Sequence, residues 1–221
     1  VDCQIDRLEV STWGWGKGEE SFLIDHVQLW DDPHQAEVWK QLEIVINQQY
    51  EHENDKSLVP VITAIDSGGL HTSEVYQFAR EKVAQGVIAI KGQSQANKPA
   101  IGRPTRVDIN FRKSNRAVKK GGLVYPLGVD TIKNTLMGRL KNNKIGSAGY
   151  IHFHASTSED YFKQITAERQ ILKTNKSGFQ VPQWVKKGNT RNECLDTWVY
   201  SYAAMCFYIS KFNRNTVWNQ L

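Results

Sequence analysis

Two short apolar runs with a helical segment between them constrain this chain more than any other feature. The first is "VITAI", Val61 to Ile65; the second lies in "GVIAIKG", Gly86 to Gly92. Each is too short for a helix and apolar at nearly every position, as strands buried on both faces of a sheet are. Between them, Thr72–Ala84 sets Val75, Phe78, Ala79 and Val83 at helical spacing. Strand, helix, strand in this form predicts a parallel pair joined by a right-handed crossover. The first run stops on Asp66, followed by Ser67-Gly68-Gly69. An ionised carboxylate at the edge of a core is costly without a partner. The candidate partners are a basic side chain, backbone N–H groups or a metal ion.

Around this unit the remaining patterns predict a mixed α/β chain. Cys3–Trp15 and Ser21–Trp30 alternate as strands about the turn "GKGE", with Leu8 and Val10 on one face and Trp13 and Trp15 on the other. That turn is not a phosphate loop, because no GxxxxGK[ST] is present. Asp32-Pro33 reads as the N-cap and first position of a helix with Ala36, Trp39, Leu42, Val45/Ile46 and Tyr50 as its stripe. A strand is expected at Arg106–Phe111, and "LVYPLGVDTIKNTLMGRLK" reads as a strand followed by a helix. "GYIHFH" reads as a strand, and Ser156 with Glu159 as a capping box before a helix over Tyr161–Leu172. "KSGFQVPQWVKKGNT" reads as connecting structure. The last helix is expected from Asn192, with Thr190 and Glu193 spaced as a capping box and Leu195, Trp198/Val199, Tyr202, Cys206 and Ile209 inward.

At 221 residues and 40% hydrophobic, the chain suits one large domain. Its longest apolar run, Tyr202–Ile209, falls far short of the roughly 18 residues a membrane span needs. No signal peptide is visible at the start, and three cysteines without a CxxC point to a reducing compartment and away from structural zinc. Charge is unevenly spread. Lys91–Lys120 holds nine basic residues against Asp108 alone, a net of +8, which leaves −3 for the rest of the +5 chain. One basic segment on a mildly acidic body is the footprint of a polyanion binder, or else a solvated loop.

Two further aspartates interrupt apolar contexts as Asp66 does: Asp2 in "VDCQIDRLEV" and Asp196 in "RNECLDTWVY". Brought together, three carboxylates repel one another, and divalent cations reverse the sign of that interaction. Oxygen-only ligands suit Mg²⁺ or Mn²⁺ rather than Zn²⁺. The competing reading makes Asp66 a strand-ending turn residue and Asp196 a helix cap. Asp6, four residues beyond Asp2, fits either an auxiliary ligand or an ordinary salt bridge.

Several separated segments, "VDCQIDRLEVSTWGWGKGEESFLID", "VITAIDSGG", "VIAIKGQS", "GVDTIKNTLMGRL", "FKQITAER" and "RNECLDTWVYSYAA", occur here in the order seen in large terminase subunits of lambda-like tailed bacteriophages. The chain resembles the C-terminal nuclease domain of that family over nearly its whole length. The resemblance implies a single nuclease domain over 1–221 without the packaging ATPase domain, and a ribonuclease-H-like fold: a central mixed sheet, first three strands antiparallel and then parallel, flanked by helices. It places the family's acidic motifs on the first strand, the fourth strand and the last helix, hence on Asp2, Asp66 and Asp196 as catalytic residues and metal ligands. One departure is "HFH", where relatives commonly read His-Phe-Pro; His152 and His154 read as a surface pair.

What the resemblance implies is a DNA endonuclease that cuts concatemeric viral DNA by two-metal phosphodiester hydrolysis with Mg²⁺ or Mn²⁺. Asp2 would bridge the two ions while Asp66 and Asp196 each hold one, leaving 5′-phosphate and 3′-hydroxyl ends. Arg191, Asn192 and Lys133 are candidate phosphate contacts, as are Arg112, Lys113 and Arg116 in the basic segment. Trp13, Trp15, Trp30 and Trp39 read as core or sheet-face residues rather than base-stacking platforms. Implied partners are double-stranded DNA, the packaging ATPase domain of the same polypeptide, the small terminase subunit and the portal, in the host cytoplasm during infection. Two alternatives are a non-catalytic DNA clamp of a packaging motor and a transposase or resolvase of the same fold.

Overall fold

The computed structural model of the chain describes residues 1–52, 54, 56–94, 97–111, 116–213 and 216–220. Twelve strands are assigned among them: β1 (Asp2–Cys3), β2 (Arg7–Trp15), β3 (Ser21–Trp30), β4 (Tyr50–Glu51), β5 (Ser57–Leu58), β6 (Thr63–Asp66), β7 (Val87–Gln93), β8 (Thr105–Phe111), β9 (Arg116–Gly128), β10 (Ile151–His152), β11 (Glu168–Thr174) and β12 (Gln180–Lys186). The α-helices are α1 (Ala36–Ile46), α2 (Thr72–Glu81), α3 (Val129–Lys141), α4 (Glu159–Ile165), α5 (Glu193–Ile209) and the short α6 (Val217–Gln220).

Two four-stranded sheets form the centre, in the orders β1-β2-β3-β10 and β6-β7-β9-β8. In the first, β1–β2 and β2–β3 are antiparallel, and β10 lies parallel to β3. In the second, β6–β7 and β7–β9 are parallel, and β8 returns antiparallel to β9. The sheets meet where Val1 N donates to Ala64 O at 2.7 Å and Asp66 N donates to Val1 O at 3.0 Å. That pattern is a parallel bridge, so the backbone runs continuously from β2 through β1 to β6 and β7.

The alternation of side chains along each strand separates two cores. Leu8, Val10, Ile65, Val87 and Ala89 pack with Val38 and Leu42 of α1 and with Val75 and Phe78 of α2. Trp13, Ala64, Ile88 and Ile90 pack with Ile132 and Leu136 of α3 and with Leu195, Trp198 and Val199 of α5. Helices therefore cover both faces of the central sheets. The register shifts between Thr12 and Trp13, where Ile24 of β3 is the extra residue of a bulge, just before Trp13 stacks on Trp198 at 5.3 Å.

Several elements differ from their sequence pattern, each for a local reason. The expected Cys3–Trp15 strand is two strands, because Gln4 N donates to Arg7 O and the chain turns back on itself there, exposing Ile5. The helix expected from Asp32-Pro33 begins at Ala36, since Asp32 Oδ1 accepts the His34 N–H in a turn of its own. Tyr50 falls beyond that helix, in β4, and its hydroxyl reaches Thr12. Helix α2 ends at Glu81 and a 3₁₀ turn follows, which leaves Val83 exposed rather than inward. The helix expected over Tyr161–Leu172 stops at Ile165, and its N-cap is Ser158, whose Oγ accepts the Tyr161 N–H; Ser156 bonds His154 instead. The segment read as connecting structure is half of the β11–β12 hairpin, paired from Glu168–Lys186 to Thr174–Gln180.

Trp198 is fully buried between the central sheet and α5. Trp198→Ala should lower the unfolding free energy by about 3–5 kcal/mol, the range for removing a large buried aromatic. Urea denaturation followed by circular dichroism measures it; a loss under about 1 kcal/mol would contradict the packing of α5 described above.

Candidate active site

Strand parity decides where the aspartates point. Ile65 and Val1 belong to the core beneath α1 and α2, so their neighbours Asp66 and Asp2 face the opposite side, which α5 covers. Asp66 is the last residue of β6 and sits at the carboxyl end of a parallel strand, where open α/β sheets place their sites. Asp196 lies in the first turn of α5, the helix packed on that face. The structure thus brings Asp2, Asp66 and Asp196 into one electrostatically coupled group.

Their surroundings differ. Asp2 is 6% exposed, and burial together with the charges of Asp196 and Asp66 pushes its carboxyl up to about 7. Gln4 Nε2 donates to Asp2 Oδ2 at 2.6 Å, which opposes the shift only in part. Burial also raises Asp66, against the Gly68 N–H at 3.1 Å and the Tyr200 hydroxyl. Burial raises Asp196 to about 6 despite the charge of Lys133; Glu168 and Asp66 push in the same direction as burial. Tyr200, one turn along α5 from Asp196, is itself raised well above the ordinary phenol value by burial and by all three carboxylates.

Beside Asp196 stands a second set of charges. Lys133 of α3 is buried, with Nζ 2.7 Å from Glu168 Oε1 and 3.5 Å from Asp196 Oδ1. Asn192 Nδ2 donates to both Asp196 Oδ2 and Glu168 Oε1 at 2.9 Å. Glu168, the first residue of β11, is a site residue that the sequence pattern does not single out, although it falls within the quoted "FKQITAER". Arg191 is held against the fully buried Glu9 and lies 3.1 Å from Glu193. Burial pushes Glu9 up, yet the hydrogen bonds from His26 and Arg7 hold it down at about 2, so it is a firm anchor for the chain entering α5.

The other residues singled out from sequence lie elsewhere or apart. Arg112 and Lys113 lie outside the described residues, as does the Arg116 side chain. Asp6 is exposed and pairs with Arg7 at 2.7 Å. His152 stacks on Phe22 and meets Glu20 at 2.6 Å, while His154 bonds Ser156. Trp30 is 57% exposed beneath the Arg7 guanidinium, and Trp39 is buried against Phe78. Part of the basic segment forms a β8–β9 ribbon, with Arg106, Lys119 and Lys120 exposed on it.

The site's donors near the aspartates are oxygens. Cys3 is adjacent, but burial, followed by Asp2, raises its thiol so far that it stays protonated. Gly68 leaves room beside Asp66, because a Cβ there would stand 3.2 Å from Asp66 Oδ2. Crowded carboxylates of raised proton affinity, with space at one of them, fit a hard divalent cation.

Metal-free protein should carry the cost of this crowding. In its folded state Asp2 keeps a proton that the unfolded chain has already released above about pH 4, so stability falls as pH rises from about 4 to 7 and levels off above that. Asp2→Asn should reduce the decline, with Asp66 and Asp196 carrying the remainder, and raise the melting temperature in EDTA at pH 8 by about 2–8 °C. Thermal melts of the two proteins across pH check this; parallel curves would contradict it.

Comparison with known proteins gives the context for this geometry. Residues 1–216 match the family described as terminase large subunit gpA, endonuclease domain. The chain is 32% identical over 220 residues to the large terminase subunit of Escherichia phage lambda, covering 96% of this chain and 32% of that protein. It is 29% identical over 212 residues to the large terminase subunit of Enterobacteria phage P21, covering 93% of this chain and 31% of that protein. The chain therefore spans about a third of the length of the curated relatives it matches. No solved structure matches it. With acidic groups from β1, β6 and α5 gathered on one face of a mixed α/β domain, this chain belongs to the endonuclease-domain family of the terminase large subunit gpA.

Proposed function

We propose that this chain is a metal-dependent DNA endonuclease that cuts concatemeric phage DNA during genome packaging, by phosphodiester hydrolysis with two Mg²⁺ or Mn²⁺ ions held by Asp2, Asp66 and Asp196. The observation that carries the reading is the electrostatic coupling of the buried Asp2 with the half-buried Asp66 and Asp196 on the α5 face. The strand order running β3-β2-β1 and then, across the Val1 bridge, β6-β7 supports a ribonuclease-H-like fold. Bound there, the ions supply a nucleophile from water at neutral pH and offset the charge that builds on the phosphoryl oxygens.

The chain's own residues do the positioning. Asp2, on the strand between β2 and β6, would hold the ions together with Asp66 and Asp196 on either side. Lys133 and Asn192 are engaged by Glu168 and Asp196, so we assign them to fixing those carboxylates rather than to phosphate. Arg191, 41% exposed in its side chain, takes the phosphate contact at the start of α5. Double-stranded DNA is the substrate in this reading. The ATPase domain of the same polypeptide, the small subunit and the portal are the partners, in the host cytoplasm.

Supercoiled plasmid should be nicked in Mg²⁺ or Mn²⁺ and protected by EDTA, with cleavage abolished in Asp66→Asn and Asp196→Asn while circular dichroism is unchanged. DNA binding without cutting in either metal would return the clamp reading, and joined ends would point to a transposase or resolvase.

The basic segment generates a separate expectation. If Arg112, Lys113 and Arg116 meet phosphates, changing all three to Ala should flatten the slope of log K against log salt by up to about three units. The loss should be similar on unrelated duplexes. A salt titration of binding in Ca²⁺ measures it, and an unaltered slope would place the DNA track elsewhere.

A further inference from the structure

A second group of ligating side chains lies across the central sheet from the aspartates. Asp32 and His34 come from the turn between β3 and α1; His71 precedes α2. One ligating atom from each of Asp32, His34 and His71 lies within 4.8 Å of the other two, the single such group of three or more among the described residues. His71 is 3% exposed, whereas His34 retains about a third of its side-chain exposure (35%).

The geometry is that of a coordination edge. His34 Nδ1 and His71 Nδ1 face each other at 3.3 Å, and Glu74 Oε1 lies 3.0 Å from the same His34 nitrogen. Two imidazole nitrogens each about 2.0–2.1 Å from a tetrahedral zinc stand roughly 3.3–3.4 Å apart. Both turns are fixed from their own sides. Asp32 Oδ1 accepts the His34 N–H at 2.9 Å, and Thr72 Oγ1 donates to Ser67 O at 2.8 Å and Gly69 O at 2.9 Å.

We propose that Asp32, His34 and His71 bind one divalent transition-metal ion of the zinc class, with the fourth vertex left to water or the Glu74 carboxylate. Two imidazoles and a carboxylate form a borderline donor set, unlike the all-oxygen cluster at Asp2, Asp66 and Asp196, so the two sites select different ions. The ion would clip the turn after β3 to the start of α2. That helix begins where the Ser67–Gly69 turn following Asp66 ends, so the clip fixes the far side of the turn.

The test is isothermal titration of metal-stripped protein with Zn²⁺ in excess Mg²⁺, which keeps the aspartate cluster occupied by the harder ion. Wild type should take up one equivalent and melt several degrees higher with zinc. His34→Ala should weaken uptake at least 100-fold and lose the thermal shift, with circular dichroism unchanged; Asp32→Asn is the second variant should His34→Ala fail to fold. Asp196→Asn should bind zinc as wild type does. No stoichiometric uptake by the wild type would overturn the proposal. So would uptake that survives both His34→Ala and Asp32→Asn but is lost in Asp196→Asn.

Discussion

The site depends on one parallel backbone bridge, the pair of hydrogen bonds that ties Val1 to Ala64 and Asp66. Without it the chain has two separate four-stranded sheets, and Asp2 and Asp66 have no shared frame. With it, the two carboxylates sit on adjacent strands, pointing to one side, and α5 needs only to lie across them to add Asp196. The Asp66 N–H is committed to that bridge, and the carboxylate of the same residue faces the site. Backbone pairing and site geometry are therefore fixed at the same residue.

Assembling like charges in a core requires a counterweight, and the structure has two. Lys133 and Asn192 hydrogen-bond the Glu168–Asp196 side and offset part of its charge. The Asp2 side has Gln4 alone and consequently holds its proton most tightly. Glu9 shows the contrasting solution on the same face: directly opposite Asp2 in the β1–β2 register, it takes Arg7 and Arg191 on one oxygen, with His26 3.4 Å from the other, and stays ionised. One carboxylate of the pair is committed to structure, and the other is left under-compensated.

Much of this is legible in the residues, for identifiable reasons. The β6–α2–β7 unit announces itself because its strands are apolar on both faces and its helix has a clear stripe. The last helix is equally plain, with Leu195, Trp198, Val199 and Tyr202 at its spacing and all four buried. The β11–β12 hairpin is hidden because both strands are largely exposed and carry no apolar alternation, and Pro182 argues locally against a strand. Glu168 is hidden with it: a glutamate at the base of an unrecognised strand has no sequence signal that separates it from a surface residue. Lys133 looks in sequence like any solvated helical lysine, and its contact with Glu168 at the base of β11 is what places it inside. The Asp32–His34–His71 group is invisible in sequence because its members come from two segments that the sheet brings together.

The separation of the two cores by strand parity has a bearing on how this family can vary in length. Removing one residue from β6 ahead of Asp66 would turn the carboxylate toward α1 and α2 and carry Ile65 into its place. The same holds for β1 and Asp2. Insertions and deletions in the strands that flank the bridge are therefore incompatible with the site, even where every side-chain type is kept. The β11–β12 turn around Gly178 is exposed on all its residues and can absorb length change. Sequence drift in these domains should leave strand lengths near Asp2 and Asp66 invariant while hairpin lengths wander.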